Sequence, residues 1–104
     1  MTIDLKDMEA NAEQAVALLK AMANTHRLMI LCSLSEVEHS VTALNEIIPV
    51  AQSSLSQHLA WLRREGLVST RRESQTIYYS LASDEVRQII GTLHHLYCNT
   101  NSDR

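Results

Sequence analysis

Residues 52–81 constrain this chain more than any other stretch, because they demand a short polar-faced helix, a turn and two β-patterned runs in immediate succession. In QSSLSQHLAWLRREG, Leu55, Leu59 and Leu62 fall at i, i+4 and i+7 and make one apolar stripe. At 100° per residue, Ser53, Gln57 and Arg64 point the other way, flanked by Ser54 and Trp61. That outward face carries hydroxyl and amide groups without acids and ends in Arg63 and Arg64. Such a helix suits a major groove, where hydroxyl and amide side chains meet base edges and phosphates. After Gly66, the runs Leu67 to Thr70 and Thr76 to Leu81 are rich in Val, Thr, Ile and Tyr and read as strands. Arg71, Arg72, Glu73, Ser74 and Gln75 are expected in the connection between them.

The overall charge of −3 argues at first against a polyanionic partner, and its distribution reverses that impression. Residues 1–51 sum to −4, residues 52–81 to +2 and residues 82–104 to −1, so the positive charge coincides with the reading unit. The excess is modest, so tight binding calls for two copies. The chain has 104 residues, enough for one domain spanning 1–104. A core is possible at 45% hydrophobic residues, yet a domain of this size buries a limited fraction of its surface, which also favours oligomerisation. Only two Gly and one Pro interrupt it, which favours helices. There is no apolar run of about 18 residues, so no membrane span is expected. The acidic start MTIDLKDMEA lacks a signal-peptide apolar region. The expected location is the cytoplasm, where thiols rest reduced.

Helical patterns surround the reading unit. From Leu5 to Ala23, residues Leu5, Met8, Ala12, Ala15, Leu19 and Met22 alternate steps of three and four, a heptad-like seam able to pack inward and across a dimer axis. A second helix opens at the capping residues Asn24 or Thr25 and runs LMILCSL, apolar nearly all round and therefore expected to be buried. A loop from Glu36 to His39 leads to a Ser40 cap, a short helix over Val41 to Ile48, and a turn at Pro49-Val50-Ala51. Ala51 stands where a capping hydroxyl is expected, so the start of the next helix is expected to lean on Gln52 or Ser53 instead. A last helix begins at Ser83 with Asp84 and Glu85 at its positive end. Val86, Ile89, Ile90, Leu93 and Leu96 form its stripe, and it ends near Cys98 before a polar tail, NTNSDR, expected to fray. The expected fold is mainly α with a small β-hairpin: a winged helix-turn-helix of five helices and a two-stranded wing, assembled as a homodimer.

The segments LLKAMANTHRLMILCSL, QSSLSQHLAWLRREGLV and RRESQTIYYSL resemble the ArsR/SmtB family of transcriptional regulators, over about Glu13 to Cys98. The resemblance implies a homodimer built on the first and last helices and a double-stranded DNA operator as partner. The family's familiar metal sites do not carry over. VTALNEII has no cysteine for the arsenic-type site. In the zinc-type pattern Asp84 is followed two residues on by Val86, and Tyr97 and Thr100 stand at the later ligand positions. Cys32 and Cys98 remain, a pairing similar to the sulfur-responsive BigR/SqrR-like and HlyU-like branch. There the resemblance implies that two thiols react with reactive sulfur species or oxidants, bridge, and lower DNA affinity.

Other readings stand beside these. Cys32 alone fits a small buried hydrophobe in an apolar helix. Cys32, Cys98 and a histidine, His94 or His95, could hold zinc, which would make the chain a metal-responsive regulator. A winged helix that has lost DNA binding would be a protein-interaction module. A thiol enzyme is disfavoured, since there is no Cys-x-x-Cys and no Gly-rich phosphate loop. The candidate DNA contacts are Gln52, Ser53, Ser54, Ser56, Gln57, His58 and Arg64 on the helix and Arg71, Arg72 and Gln75 on the wing. His58, beside the leucine stripe, is divided between such a contact and packing. Trp61 is expected to pack on the wing. Tyr78 and Tyr79 alternate faces, with one in the core. The candidate redox-sensing residues are Cys32 and Cys98, and no cofactor or metal ligand set is expected.

Overall fold

In the computed structural model, which describes residues 4–98, the elements run α1 (Leu5–Met22), α2 (Thr25–Ser33), β1 (His39–Ser40), α3 (Val41–Ile47), α4 (Gln52–Arg64), β2 (Val68–Glu73), β3 (Thr76–Leu81) and α5 (Asp84–Tyr97). The polar tail and Thr100 lie outside the described residues. Short polar side chains start four of the helices. Asp4, Asn24, Ser40 and Ser83 each accept a backbone N–H from the first turn of α1, α2, α3 and α5. The end of α1 is held by Arg27 of α2, whose Nε donates to the Ala21 carbonyl at 2.7 Å and whose Nη2 donates to the Lys20 carbonyl at 3.0 Å. These carbonyls lie in the last turn, where the helix supplies no N–H four residues on, and that of Lys20 also accepts from the Ala23 N–H.

The core is wholly apolar. Ile30 and Leu31 of α2, Leu44 of α3, Ile48, and Leu55, Leu59 and Leu62 of α4 are fully buried with Val86 of α5. The leucine stripe of α4 is thus the face that meets the rest of the chain, which fixes Ser53, Ser56, Gln57 and Arg64 as exposed. Between α3 and α4 the Asn45 amide donates to the Val50 carbonyl at 2.8 Å and holds the tight turn. Helix α4 ends in a paired cap. Gly66 takes φ 79, its N–H reaches the Arg63 carbonyl, and the Leu67 N–H reaches Leu62, both at 3.0 Å. Leu67 and Leu62 are both buried, so the chain turns into β2 with its hydrophobic contact made.

Four expectations are corrected. Helix α4 begins at Gln52 with Ala51 as its N-cap, and no side-chain hydrogen bond caps that start, so the expected support from Gln52 or Ser53 is not made. The first wing strand runs past its β-rich run, while the second keeps the expected Thr76–Leu81: Arg71, Arg72 and Glu73 belong to β2, paired with Tyr78, Ile77 and Thr76. Only Ser74 and Gln75 form the turn, with Ser74 at φ 58, the positive first position that two-residue hairpin turns use. The sheet has three strands in the order β1-β3-β2, because His39, expected in a loop, and Ser40, which caps α3 as expected, also pair antiparallel with Tyr79 and Tyr78. Finally, α2 is not buried all round, since Cys32 is exposed while Ile30 and Leu31 are inside.

Candidate nucleic-acid interface and cysteine groove

The polar strip of α4 stands beside the wing. Gln52, Ser53, Ser56, Gln57 and Arg64 are exposed, Ser54 and His58 half-buried. At the junction, Ala60, Arg63 and Arg64 of α4 and Tyr79 of β3 line a shallow cavity of about 410 Å³. Tyr79 packs on the core, so its face of the wing is the one turned toward α4. In register, Thr70 lies opposite Tyr79 and Arg72 opposite Ile77, while Arg71 lies opposite Tyr78. Directly opposed residues share a face and successive ones alternate, so Arg72 is on the α4 side and Arg71 on the other. Gln75 is exposed at the tip.

Arg71 is held. Its guanidinium donates to Glu38 through Nε at 2.9 Å and Nη2 at 2.5 Å, and to Glu73 through Nη1 at 3.0 Å. It also sits 4.7 Å over the Tyr78 ring. The hydrogen bond from Arg71 holds the Glu38 carboxyl below its ordinary range, and the two carboxylates raise Arg71. Among the described residues no ion pair involves Arg72. No sequence signal points to Glu38: it lies 33 residues from Arg71, in a segment that reads as loop.

His58 is half-buried and faces α2, its ring 6.2 Å from that of His26. Burial, then the charges of Arg27 and His26, lower its pKa. Trp61, expected to lean on the wing, packs against the core with the Arg27 guanidinium 4.7 Å over its ring. Arg27 therefore joins three elements at once, through the end of α1 and the indole of α4.

Between α2 and α5 runs a mainly apolar groove of about 610 Å³. Leu28, Ile90, Leu93 and Tyr97 line it, with Ser35, Glu36, Arg87 and His94 at its polar parts, and both Cys32 and Cys98 open into it. Both thiols are unpaired and exposed. Partial burial, and secondarily the neighbouring Cys98, push the Cys32 thiol up. Among the described residues no three His, Cys, Asp or Glu side chains converge as a metal site would need. His95 is exposed on α5. No single helix among the described residues is long and apolar enough to cross a membrane.

Comparison with known proteins agrees with this arrangement. Residues 24–70 match the profile of bacterial regulatory proteins of the arsR family. The transcriptional activator HlyU of Vibrio cholerae is 56% identical over 99 residues, covering 95% of this chain and 92% of its own length. The crystal structure of HlyU from Vibrio vulnificus superposes with a TM-score of 0.85 at 59% identity, over 92% of this chain and all of that one. The transcriptional repressor BigR of Xylella fastidiosa superposes with a TM-score of 0.87 at 38% identity, over 92% and 98% of the two chains. A polar recognition helix, a basic wing and these relatives lead to one conclusion: the chain belongs to the ArsR family and is a winged helix-turn-helix, DNA-binding transcriptional regulator.

Proposed function

We propose that this regulator acts as a homodimer whose Cys32–Cys98 pair senses reactive sulfur species or oxidants and releases a double-stranded DNA operator on bridging. The observation that carries the reading is that two thiols from different helices open into one groove. Dimerisation is supported by the apolar side chains that α1 and α5 leave in solvent: Leu5, Met8, Val16 and Leu19 on one, Leu96 and Tyr97 on the other. Gln52, Ser53, Ser54, Ser56, Gln57, Arg64, Arg72 and Gln75 are the proposed DNA contacts, with His58 more engaged by α2 than its position beside the stripe suggests.

The chemistry follows from thiol reactivity. The first attack is assigned to Cys98, exposed at the end of α5, and Cys32 resolves the adduct. Its thiolate attacks the outer sulfur of a persulfide RSSH. The S–S bond breaks, the thiol RSH leaves after protonation, and Cys98 carries a persulfide. The Cys32 thiolate then attacks the Cys98 sulfur and expels hydrosulfide, leaving a disulfide. Two thiols are oxidised and one sulfane sulfur is reduced to hydrogen sulfide. With peroxide, a sulfenic acid takes the place of the persulfide and water leaves in each step. A bridge from α2 to α5 changes the packing of the helix that supports the reading head.

Mass spectrometry of the reduced protein after persulfide treatment should find one intrachain bridge between Cys32 and Cys98, with its sulfur count. Cys32→Ser and Cys98→Ser should each bind DNA and no longer release it on treatment. Release from either variant, or adducts that never bridge, would refute the paired-thiol reading.

A further inference from the structure

We infer that Arg71 is a positioning residue that braces the wing, and that it does not itself neutralise a DNA phosphate. Arg71 is among the basic side chains expected to touch DNA, and three observations turn it to another use. Its fork is occupied: Nε and Nη2 are engaged by Glu38 and Nη1 by Glu73, so phosphate would have to displace two carboxylates. Its guanidinium carbon sits 4.7 Å over the Tyr78 ring, a second contact that holds the group in place. Its face is wrong: register puts it beside Tyr78, opposite to the face on which Tyr79 and α4 meet. Glu38, in turn, immediately precedes β1, which pairs with β3. The Arg71–Glu38 pair therefore spans from β2 across β3 to the segment entering β1, tying the outer strand of the wing to the body. Such a tie sets the angle at which Arg72, on the other face, is presented.

The brace and the phosphate contact predict different responses to salt and to lysine. A duplex selected from a randomised pool by the wild-type protein is titrated with wild type, R71A, R71K and R72A over a range of salt concentrations, and wing amide hydrogen exchange is followed in the free proteins. Lysine keeps the charge but cannot reproduce the fork or the stack. R71A and R71K should therefore both lose affinity, by roughly threefold to fivefold for an exposed pair with organised geometry. Both should keep the wild-type slope of log K against log salt, and both should exchange β2 and β3 amides faster. R72A should instead flatten the slope by about one unit and leave wing exchange unchanged. If R71A flattens the slope as R72A does, if R71K restores wild-type affinity, or if wing exchange is unmoved by R71A, Arg71 is not a brace.

Discussion

At the scale of single residues, the exposed strip of α4 and Arg72 of the wing divide the labour of binding. Gln57 is exposed at the middle of α4, opposite leucines that are fully buried, so its amide is the group best placed for base edges. Gln57→Ala should reduce discrimination between operator and random duplex by about 1–3 kcal/mol, with little change in nonspecific affinity. Arg72→Ala should weaken all sequences alike. Competition titrations against both duplexes distinguish the two, and equal behaviour would overturn the assignment. His58 adds a pH dependence. Its neutral form is favoured in the fold by burial and by the facing Arg27 and His26, so its folded pKa lies below its unfolded one. Its contribution is complete above the unfolded value near 6.5 and is lost as pH falls through the lower folded value. Denaturant melts should show a decline in stability below about pH 6.5 that is shallower in His58→Gln, a neutral side chain of similar reach.

At the scale of elements, the two ends of α4 differ in how well they are finished. Gly66 at φ 79 lets its own N–H and that of Leu67 close the helix end, and a Cβ there meets no atom within 4 Å, so Gly66→Ala acts through backbone strain alone. It should cost about 1 kcal/mol in thermal or chemical melts. Ala51 caps nothing, although its φ of −61° and ψ of 144° suit a capping serine. Ala51→Ser should add about 0.5–1 kcal/mol, and no gain would show that the first-turn amides are satisfied in another way. The elements themselves are legible in the sequence where periodicity and capping agree: Asn24, Ser40 and Ser83 mark helix starts, and Leu55, Leu59 and Leu62 mark the buried face of α4. Legibility fails where a partner lies far off along the chain. His39 and Ser40 become a strand only because β3 stands beside them, and Arg71 to Glu73 look like loop residues because charge outweighs their pairing with Thr76 to Tyr78. Cys32 reads as buried in an apolar run, and the groove beside α5 exposes it. That two cysteines share one groove is a matter of how α2 meets α5, which spacing along the chain does not encode.

At the scale of the whole molecule, α1 is the element least supported by its own chain. Leu5 is 76% exposed and Leu19 55%, while burial within the helix is confined to Ala21 and Met22 near its end. Those faces are the proposed dimer contact, so Met8→Asp with Leu19→Asp should give a monomer in sedimentation and lose most operator affinity. A double variant that stays dimeric would move the interface elsewhere. The connection from α2 to the wing has a different character. Leu34 is buried, Ser35 donates twice to the Cys32 carbonyl and accepts from Arg87 at 2.6 Å, Glu38 is gripped by Arg71, and His39 enters the sheet. In kinematic terms the cysteine-bearing helix and the hairpin are joined by a short run held at Leu34, Ser35, Glu38 and His39, with Glu36 and Val37 exposed between them. As links of one lever, with α5 as its fulcrum through Arg87, they are expected to move together. A small tilt of α2 is then delivered to the wing as a change of strand angle, without unfolding anything on the way.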